Sequence, residues 1–299
     1  MIYLLHLSIF LSIYIILALS LNLVIGYMGR INLAHSGFVA IGAYTYALLT
    51  VAWKWNFCSS LLIALFLAVL LSLFLSLPSW KFQGDFFIMI TLVVQALFYG
   101  IIYNWSSPGA SLGEWNNITN GPFGIAGISK PDIFGIKLDT IESISVLSIC
   151  VAMLCAFIVF RLTNSPWGRL LKCIRDDELA IRGLGKNVRR VKIEVFAIAC
   201  GLAAIGGVIY ASYVSYIDPT TASLDESILL LCMICVGGMG NFRGPIIGAI
   251  ILILLPELLR LTPMPQSVAA NFRLMAYGLL LIIMVHFRPQ GIAGEYRLE

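Results

Sequence analysis

Apolar residues run through this chain in long unbroken blocks, and the charged residues fall between the blocks. Residues 1–29, 31–53, 55–80, 86–113, 143–160, 195–217, 227–242, 244–256 and 274–287 contain no Asp, Glu, Lys or Arg. A helix that crosses a bilayer needs roughly 20 apolar residues, and the first six runs reach or approach that length. The last three are shorter and read as tilted or broken helices, or as spans that carry Glu257 and Arg260 at an end. The pattern predicts an all-α polytopic membrane protein with about nine crossings, between eight and ten, built as a single transmembrane domain over residues 1–299.

Composition excludes a soluble domain. The chain is 60% hydrophobic and 11% charged, with a mean hydropathy of +0.95, whereas soluble domains carry about 25% charged residues. The first apolar run lacks the basic start of a signal peptide, and Arg30 is the first Lys or Arg, so the run reads as a retained span. The seven cysteines lie mostly inside apolar runs without metal-ligand spacing, which makes them small buried hydrophobes and predicts no metal site. Nothing in the charge pattern points to nucleic acid.

Basic residues mark cytoplasmic loops. Residues 161–192 hold nine of the nineteen Lys and Arg against three acids, so this connection is predicted inside. The 104–139 and 216–226 connections have no basic excess and fit the outside, which makes 104–139 a periplasmic connection. Alternation then puts Arg30, Lys81, Arg243 and Arg288 inside, with Lys54 the exception, the N-terminus outside and the C-terminus inside.

The basic segment has internal order. Leu170, Leu171 and Ile174 form an apolar stripe beside Arg169, Lys172 and Arg175. Asp176 is expected to cap a second short helix with Asp177 and Glu178 in its first turn, where acids complement the helix dipole. Glu178 and Arg182 stand four apart in the favourable order, and Gly183 and Gly185 supply a stop. An anchor lying in lipid headgroups would account for the cations but not for the capped acidic turn. Docking into a groove on a cytosolic partner accounts for both, with the Glu178 charge presented to that partner.

Within the spans almost no ionisable group is expected, so the pathway candidates are polar and uncharged: Asn22, Asn32, His35, Thr91, Gln95 and Asn120. Gln95, near the middle of its run, is read either as an interhelical hydrogen bond or as a ligand contact. Ala199, Ala203, Gly207 and Ala211 repeat every four residues, which lets helix backbones approach closely, either inside this chain or at a seam with a second membrane subunit. GYMG at 26–29 and GGMG at 237–240 are each followed by IGA, the kind of echo an inverted-repeat transporter shows. No HExxH, GxSxG or phosphate loop occurs, so the chain is not read as an enzyme or an ATP-binding subunit.

The stretches LNLVIGYMGRINLAHSGFVAIGAY (21–44), QGDFFIMITL (83–92), TNGPFGI (119–125), GRLLKCIRDDELAIRGLGKNV (168–188), SILLLCMICVGGMGNFRGPIIGA (227–249) and FRPQGI (287–292) resemble the M-type (LivM-like) permease subunits of ABC importers for branched-chain amino acids. Within them DELAIRGLG is similar to the coupling loop of ABC permeases, with Glu178, Ala180 and Gly185 at corresponding places. The resemblance implies a type II-like ABC importer permease bundle in a bacterial inner membrane, working by alternating access. It also implies an H-type permease partner, two cytosolic subunits that bind ATP and magnesium, and a periplasmic binding protein that delivers substrate. The chain itself would need no cofactor, and its coupling loop would include Arg175, Asp177, Glu178, Ala180, Arg182 and Gly185. Related permeases carry urea or short amides, which is one alternative. A stand-alone secondary carrier and a membrane scaffold are others.

Overall fold

Long apolar runs without a polar face can bury their backbone in lipid only as helices, because every N–H and C=O must be satisfied within the segment. The computed structural model describes residues 2–260 apart from 83, 108, 134 and 135, together with 275, 278, 279, 282–284, 286 and 290–294. Among the described residues five segments are long and apolar enough to cross a membrane: Ile2–Tyr27, Phe57–Trp80, Asp85–Asn104, Ile141–Thr163 and Val188–Val214. They contain helices α1 (Ile2–Asn22), α3 (Phe57–Ser76), α4 (Asp85–Asn104), α5 (Ile141–Thr163) and α8 (Val188–Val214). Three shorter helices complete the described bundle: α2 (His35–Val51), α9 (Leu224–Gly237) and α10 (Arg243–Arg260). These eight accord with the expected crossings. Half of the ninth apolar run, 274–287, lies outside the described residues, and those of its residues that are described are helical.

Helices α1 and α8 form the centre. The most apolar windows of these two segments are 78% and 67% buried, against 22% for α4, so α3, α4 and α5 make a rim with apolar outer faces. The small-residue ladder explains how α8 reaches its neighbours. Ala199, Ala203, Gly207 and Ala211 are all buried within this chain, and a Cβ at Gly207 would overlap the Val39 carbonyl of α2. A Cβ at Gly42 would overlap Ala204 in turn. The ladder is therefore an internal contact and not a seam for a second subunit. Cys155, Cys200 and Cys232 are buried as expected, whereas Cys58, Cys150 and Cys173 lie on the surface.

At one end of the bundle the 104–139 connection folds onto α2 and α8. Strand β1 (Ile125–Ala126) is followed by the hairpin of β2 (Asp132–Ile133) and β3 (Ile136–Lys137), and β1 pairs antiparallel with β4 (Tyr216–Ile217), with Ile125 opposite Ile217. Thr140 caps α5 by accepting from the Ser143 N–H. At the opposite end lie the cations of residues 161–192 with Arg30, and two surface helices, α6 (Pro166–Asp176) and α7 (Glu178–Gly183). Ser165 caps α6, and Leu171 and Ile174 are buried beneath it, which is the stripe the sequence predicts.

The glycine contacts yield a pair of opposite outcomes. Gly207→Val should destabilise the detergent-purified protein by about 1–3 kcal/mol or more, the cost of overpacking. Gly201→Ala, six residues earlier, would meet Val69 at 3.5 Å and Leu65 at 3.9 Å, both ordinary contacts, and should stabilise by about 0.5–1 kcal/mol by removing a helix glycine. Thermal melting of the two variants checks both signs.

Candidate translocation and coupling site

Helix α2 starts inside the bundle without a cap of its own. Its N-cap position is Ala34, which has no side-chain acceptor, yet the first N–H groups of a helix need partners. They are supplied from other helices. The Gly37 N–H donates to Gln95 Oε1 at 3.2 Å, and the Ser36 N–H donates to Ser227 Oγ at 3.1 Å. Ser227 Oγ donates back to Ser36 Oγ at 2.8 Å, and Ser36 Oγ donates to the Ser223 carbonyl at 2.7 Å. Gln95 Nε2 donates to Ser36 Oγ at 2.7 Å and to the Ala222 carbonyl. Just before the helix, Thr91 Oγ1 accepts from the Leu33 N–H and Asn32 Oδ1 accepts from the Ala34 N–H.

This network fixes the depth of the 216–226 connection. Gln95 is the eleventh residue of α4, about 15 Å along a helix that rises 1.5 Å per residue, and so near the middle of a core roughly 30 Å thick. Ala222 reaches that level through the 3₁₀ turn Pro219–Ala222, and α9 starts two residues later. The connection expected wholly outside therefore re-enters, and it carries Asp225 and Glu226, in the first turn of α9, to mid-depth. The expectation of spans almost free of ionisable groups is corrected accordingly. The sequence places both acids at the edge of a charge-free run, and only the contact with Gln95 reveals their depth.

The sequence candidates separate into distinct jobs. Thr91, Gln95 and Asn32 cap the entry to α2. His35 is fully buried, with Nε2 2.8 Å from Ser20 Oγ, and Ser20 donates to the Leu17 carbonyl, so Nε2 carries the proton. Asn22 lies at the basic end, where Nδ2 donates to the Asn241 carbonyl at 3.0 Å and Oδ1 accepts from the Gly240 N–H. Asn120 is remote from the others: it sits in the 104–139 connection with φ 59° and donates to the Gly124 carbonyl at 2.7 Å.

The Asn22 contacts also correct the repeat. Tyr14 of α1 meets Glu226 at the start of α9, and Asn22 meets Gly240 just beyond its end, so α1 and α9 run parallel. Both glycine motifs lie together at one end, whereas an inverted repeat would separate them to opposite faces.

The segment of α6 and α7 is anchored on the first of these motifs. Arg175 Nη1 donates to the Gly26 carbonyl at 2.7 Å, and Lys172 lies over the Tyr27 ring at 5.5 Å. Because Ile174 is buried and Arg175 is held by Gly26, α6 continues through Asp176. The cap of α7 is consequently Asp177, one residue later than expected, accepting from the Leu179 and Ala180 N–H groups at 2.9 and 3.0 Å. The helix closes in a Schellman motif, with Lys186 N–H on the Ile181 carbonyl and Gly185 N–H on the Arg182 carbonyl. Gly185, at φ +75°, is the stop, and Gly183 is still helical.

Glu178 turns inward. Its carboxylate takes Lys192 Nζ at 2.7 Å and Arg30 Nη2 at 2.9 Å, and pairs with Arg182 four residues on. Lys192 also donates to the Ser79 carbonyl at 3.0 Å. Burial alone would raise the Glu178 carboxyl, but the hydrogen bond and charge of Lys192, with Arg182 and Arg30, outweigh it and hold the group below the ordinary carboxylate value. The expectation that Glu178 offers its charge outward thus gives way to an internal cluster. The large apolar groups that the segment turns outward are Leu179 and Leu184, each 75% exposed.

A family described as the branched-chain amino acid transport system / permease component matches residues 3–285. The chain belongs to this family. It is 30% identical to the high-affinity branched-chain amino acid transport system permease protein LivM of Escherichia coli, over 94% of this chain and 67% of the relative. Identity is 25% to the probable LivM permease of Methanocaldococcus jannaschii, over 95% of this chain and 91% of the relative. The autoinducer 2 import permease LsrC of Salmonella paratyphi B is 28% identical over 60% of this chain and 49% of the relative. No solved structure matches. The chain is thus a membrane-embedded transport permease component and not an enzyme.

In this permease the Glu178 cluster makes a pH-dependent contribution. A depressed folded pKa means that the stabilisation is complete above the unfolded value of about 4.3 and is lost as pH falls through the lower folded value. Glu178→Ala should cost about 3–5 kcal/mol, because Lys192, 1% exposed, is left buried and unpaired. The pair Glu178→Gln with Lys192→Met should cost less than the sum of its single changes. Melting temperatures at neutral pH and near pH 3 check this, with the parent losing more on acidification than Glu178→Gln.

Proposed function

We propose that this chain is the membrane-spanning permease subunit of an ATP-driven importer for branched-chain amino acids. The observation that carries the reading is the family match over residues 3–285, which spans every element described above. The relatives named as branched-chain amino acid permeases cover the chain almost from end to end. The partners are a second, H-type permease subunit, two cytosolic ATP-binding subunits that supply ATP and magnesium chemistry, and a periplasmic binding protein. The basic end, with residues 161–192, faces the cytoplasm as a coupling loop; the 104–139 connection faces the periplasm, with the N-terminus outside and the C-terminus inside.

The geometry suits a relay of motion. The exposed Leu179 and Leu184 give the ATPase an apolar grip beside the acidic cap of Asp177. The same short helix holds Arg30 through Glu178, and Arg30 opens the segment that leads into α2. Displacing α7 therefore pulls on the entry to α2, the point where the mid-depth network begins. Such a coupling requires the loop to have different contacts in the two states of the transporter. The carboxylates at depth remove composition as an argument against a stand-alone carrier. The coupling geometry favours the ATP-driven reading.

Three experiments test it. In proteoliposomes holding the full complex, uptake of a branched-chain amino acid should require ATP and the binding protein; uptake by the purified chain alone would establish a carrier instead. Leu179→Asp or Leu184→Asp should abolish copurification of the ATPase and reduce uptake by at least about tenfold, because interface anchors cost 2 kcal/mol or more on loss. Melting should stay within about 0.5 kcal/mol, as for exposed substitutions. Orientation is read by an impermeant thiol reagent in whole cells, which should label Ser111→Cys and miss Lys186→Cys, both at exposed positions.

A further inference from the structure

Beside the mid-depth network, α4 and the start of α9 enclose a cleft of about 460 Å³, within the range of sites that hold small molecules. Its walls are of two kinds. Leu92, Ala96, Tyr99 and Leu224 are apolar, while Thr220 and Asp225 are polar. Asp225 is exposed, and among the described residues its carboxylate has no hydrogen bond or ion pair. Its neighbour Glu226 turns the other way, toward Tyr14 O–H and a separate cavity of about 50 Å³ that has room for water only.

An exposed carboxylate at the middle of a membrane cannot face hydrocarbon at acceptable cost; such groups face an aqueous cavity or a partner charge. The depth of Asp225 is fixed independently of its charge, by the Ala222 carbonyl on Gln95 and the Ser223 carbonyl on Ser36. The α4–α9 face therefore meets water or a positive charge in the assembled transporter, although α4 offers mostly apolar side chains to its surroundings. The α9 N-terminus, which favours anions, is already capped by Ser223 Oγ, so the net field in the cleft is that of the carboxylate.

We propose that this cleft is the substrate site of the translocation path, with Asp225 binding the ammonium group and Leu92, Ala96, Tyr99 and Leu224 receiving an aliphatic side chain. The ligand class is a small aliphatic amino acid rather than urea or a short neutral amide, because a neutral ligand would leave the carboxylate without a countercharge. This assignment rests on the transport function proposed above and adds the residues that contact the cargo. Gln95 is a positioning residue: it touches the backbone of α2 and the turn before α9, and holds the floor of the cleft at its depth.

The test uses the complete reconstituted complex carrying Ala96→Cys, a small change on the cleft wall that leaves Asp225 in place. Modification is followed by peptide mapping, which separates this position from the seven native cysteines. The cationic, membrane-impermeant reagent 2-(trimethylammonium)ethyl methanethiosulfonate should label it. Saturating leucine, isoleucine or valine should slow the labelling at least about tenfold. Adding Asp225→Asn should remove that protection and raise the half-saturation concentration for uptake about tenfold to a hundredfold, the range expected for a lost charge-assisted hydrogen bond. Labelling by the lipophilic reagent N-phenylmaleimide alone would show a dry face and overturn the site. Protection that survives Asp225→Asn would overturn the role of the carboxylate. Uptake by the parent complex, measured in parallel, reads the transport function itself: a parent that imports no branched-chain amino acid sinks that function, and a parent that imports normally with a dry cleft sinks only the site.

Discussion

Helix α2 of this protein begins inside the bundle, where its first N–H groups have no water to turn to; the side chains of Gln95 and Ser227 accept from them, and Ser36 Oγ ties the same pair to the Ser223 carbonyl before α9. Hydrocarbon tolerates irregular backbone only where protein or an enclosed polar space satisfies it. The arrangement of α2, α4 and α9 follows from that constraint. Gln95 reaches both the start of α2 and the turn before α9, so these elements cannot separate without leaving buried groups unsatisfied. Close glycine contacts between α2 and α8 lock the other side of α2 to the central helices.

At the basic end a second constraint operates, electrostatic rather than steric. Three cations converge on Glu178, and one of them, Lys192, is almost completely buried. One carboxylate against three cations leaves a net positive cluster, held together because Glu178 and the Ser79 carbonyl satisfy Lys192 in a site that water hardly reaches. Arg175 ties the same segment to the Gly26 carbonyl, so α6 and α7 are held to the first glycine turn at two points. The second glycine turn is bound to the first by Asn22, and the Ile292 and Ala293 N–H groups close onto Val236 and Gly237. The basic end is in this way one connected unit, built from five distant parts of the chain.

The two constraints meet in residues 30–34. This short segment starts at Arg30, on the charged cluster, and ends at Ala34, where the mid-depth network begins. It is a tether of a few residues between the surface helices and the polar break. Such a link lets an event at the basic end alter the middle of the bundle with little rearrangement of the long helices.

The all-helical architecture, the concentration of charge in residues 161–192, the amphipathic stripe of α6 and the closeness of helices around Gly207 are all determined by the sequence alone. Each depends on local spacing: the length of a charge-free run, an apolar period, or a small residue every four positions. Depth and pairing are different. Asp225 reads as a loop acid until the contact between Ala222 and Gln95, residues distant in the chain, draws it to mid-membrane. Glu178 reads as an outward charge until Lys192 and Arg30 are folded beside it. The two glycine motifs look like halves of an inverted repeat until Asn22 joins them at one end. What a side chain is for depends on which distant residues surround it, and in a bundle of similar apolar helices the pattern along the chain does not specify which helix lies against which. Tertiary packing decides that, because only there do the unsatisfied backbone groups and buried charges find their partners.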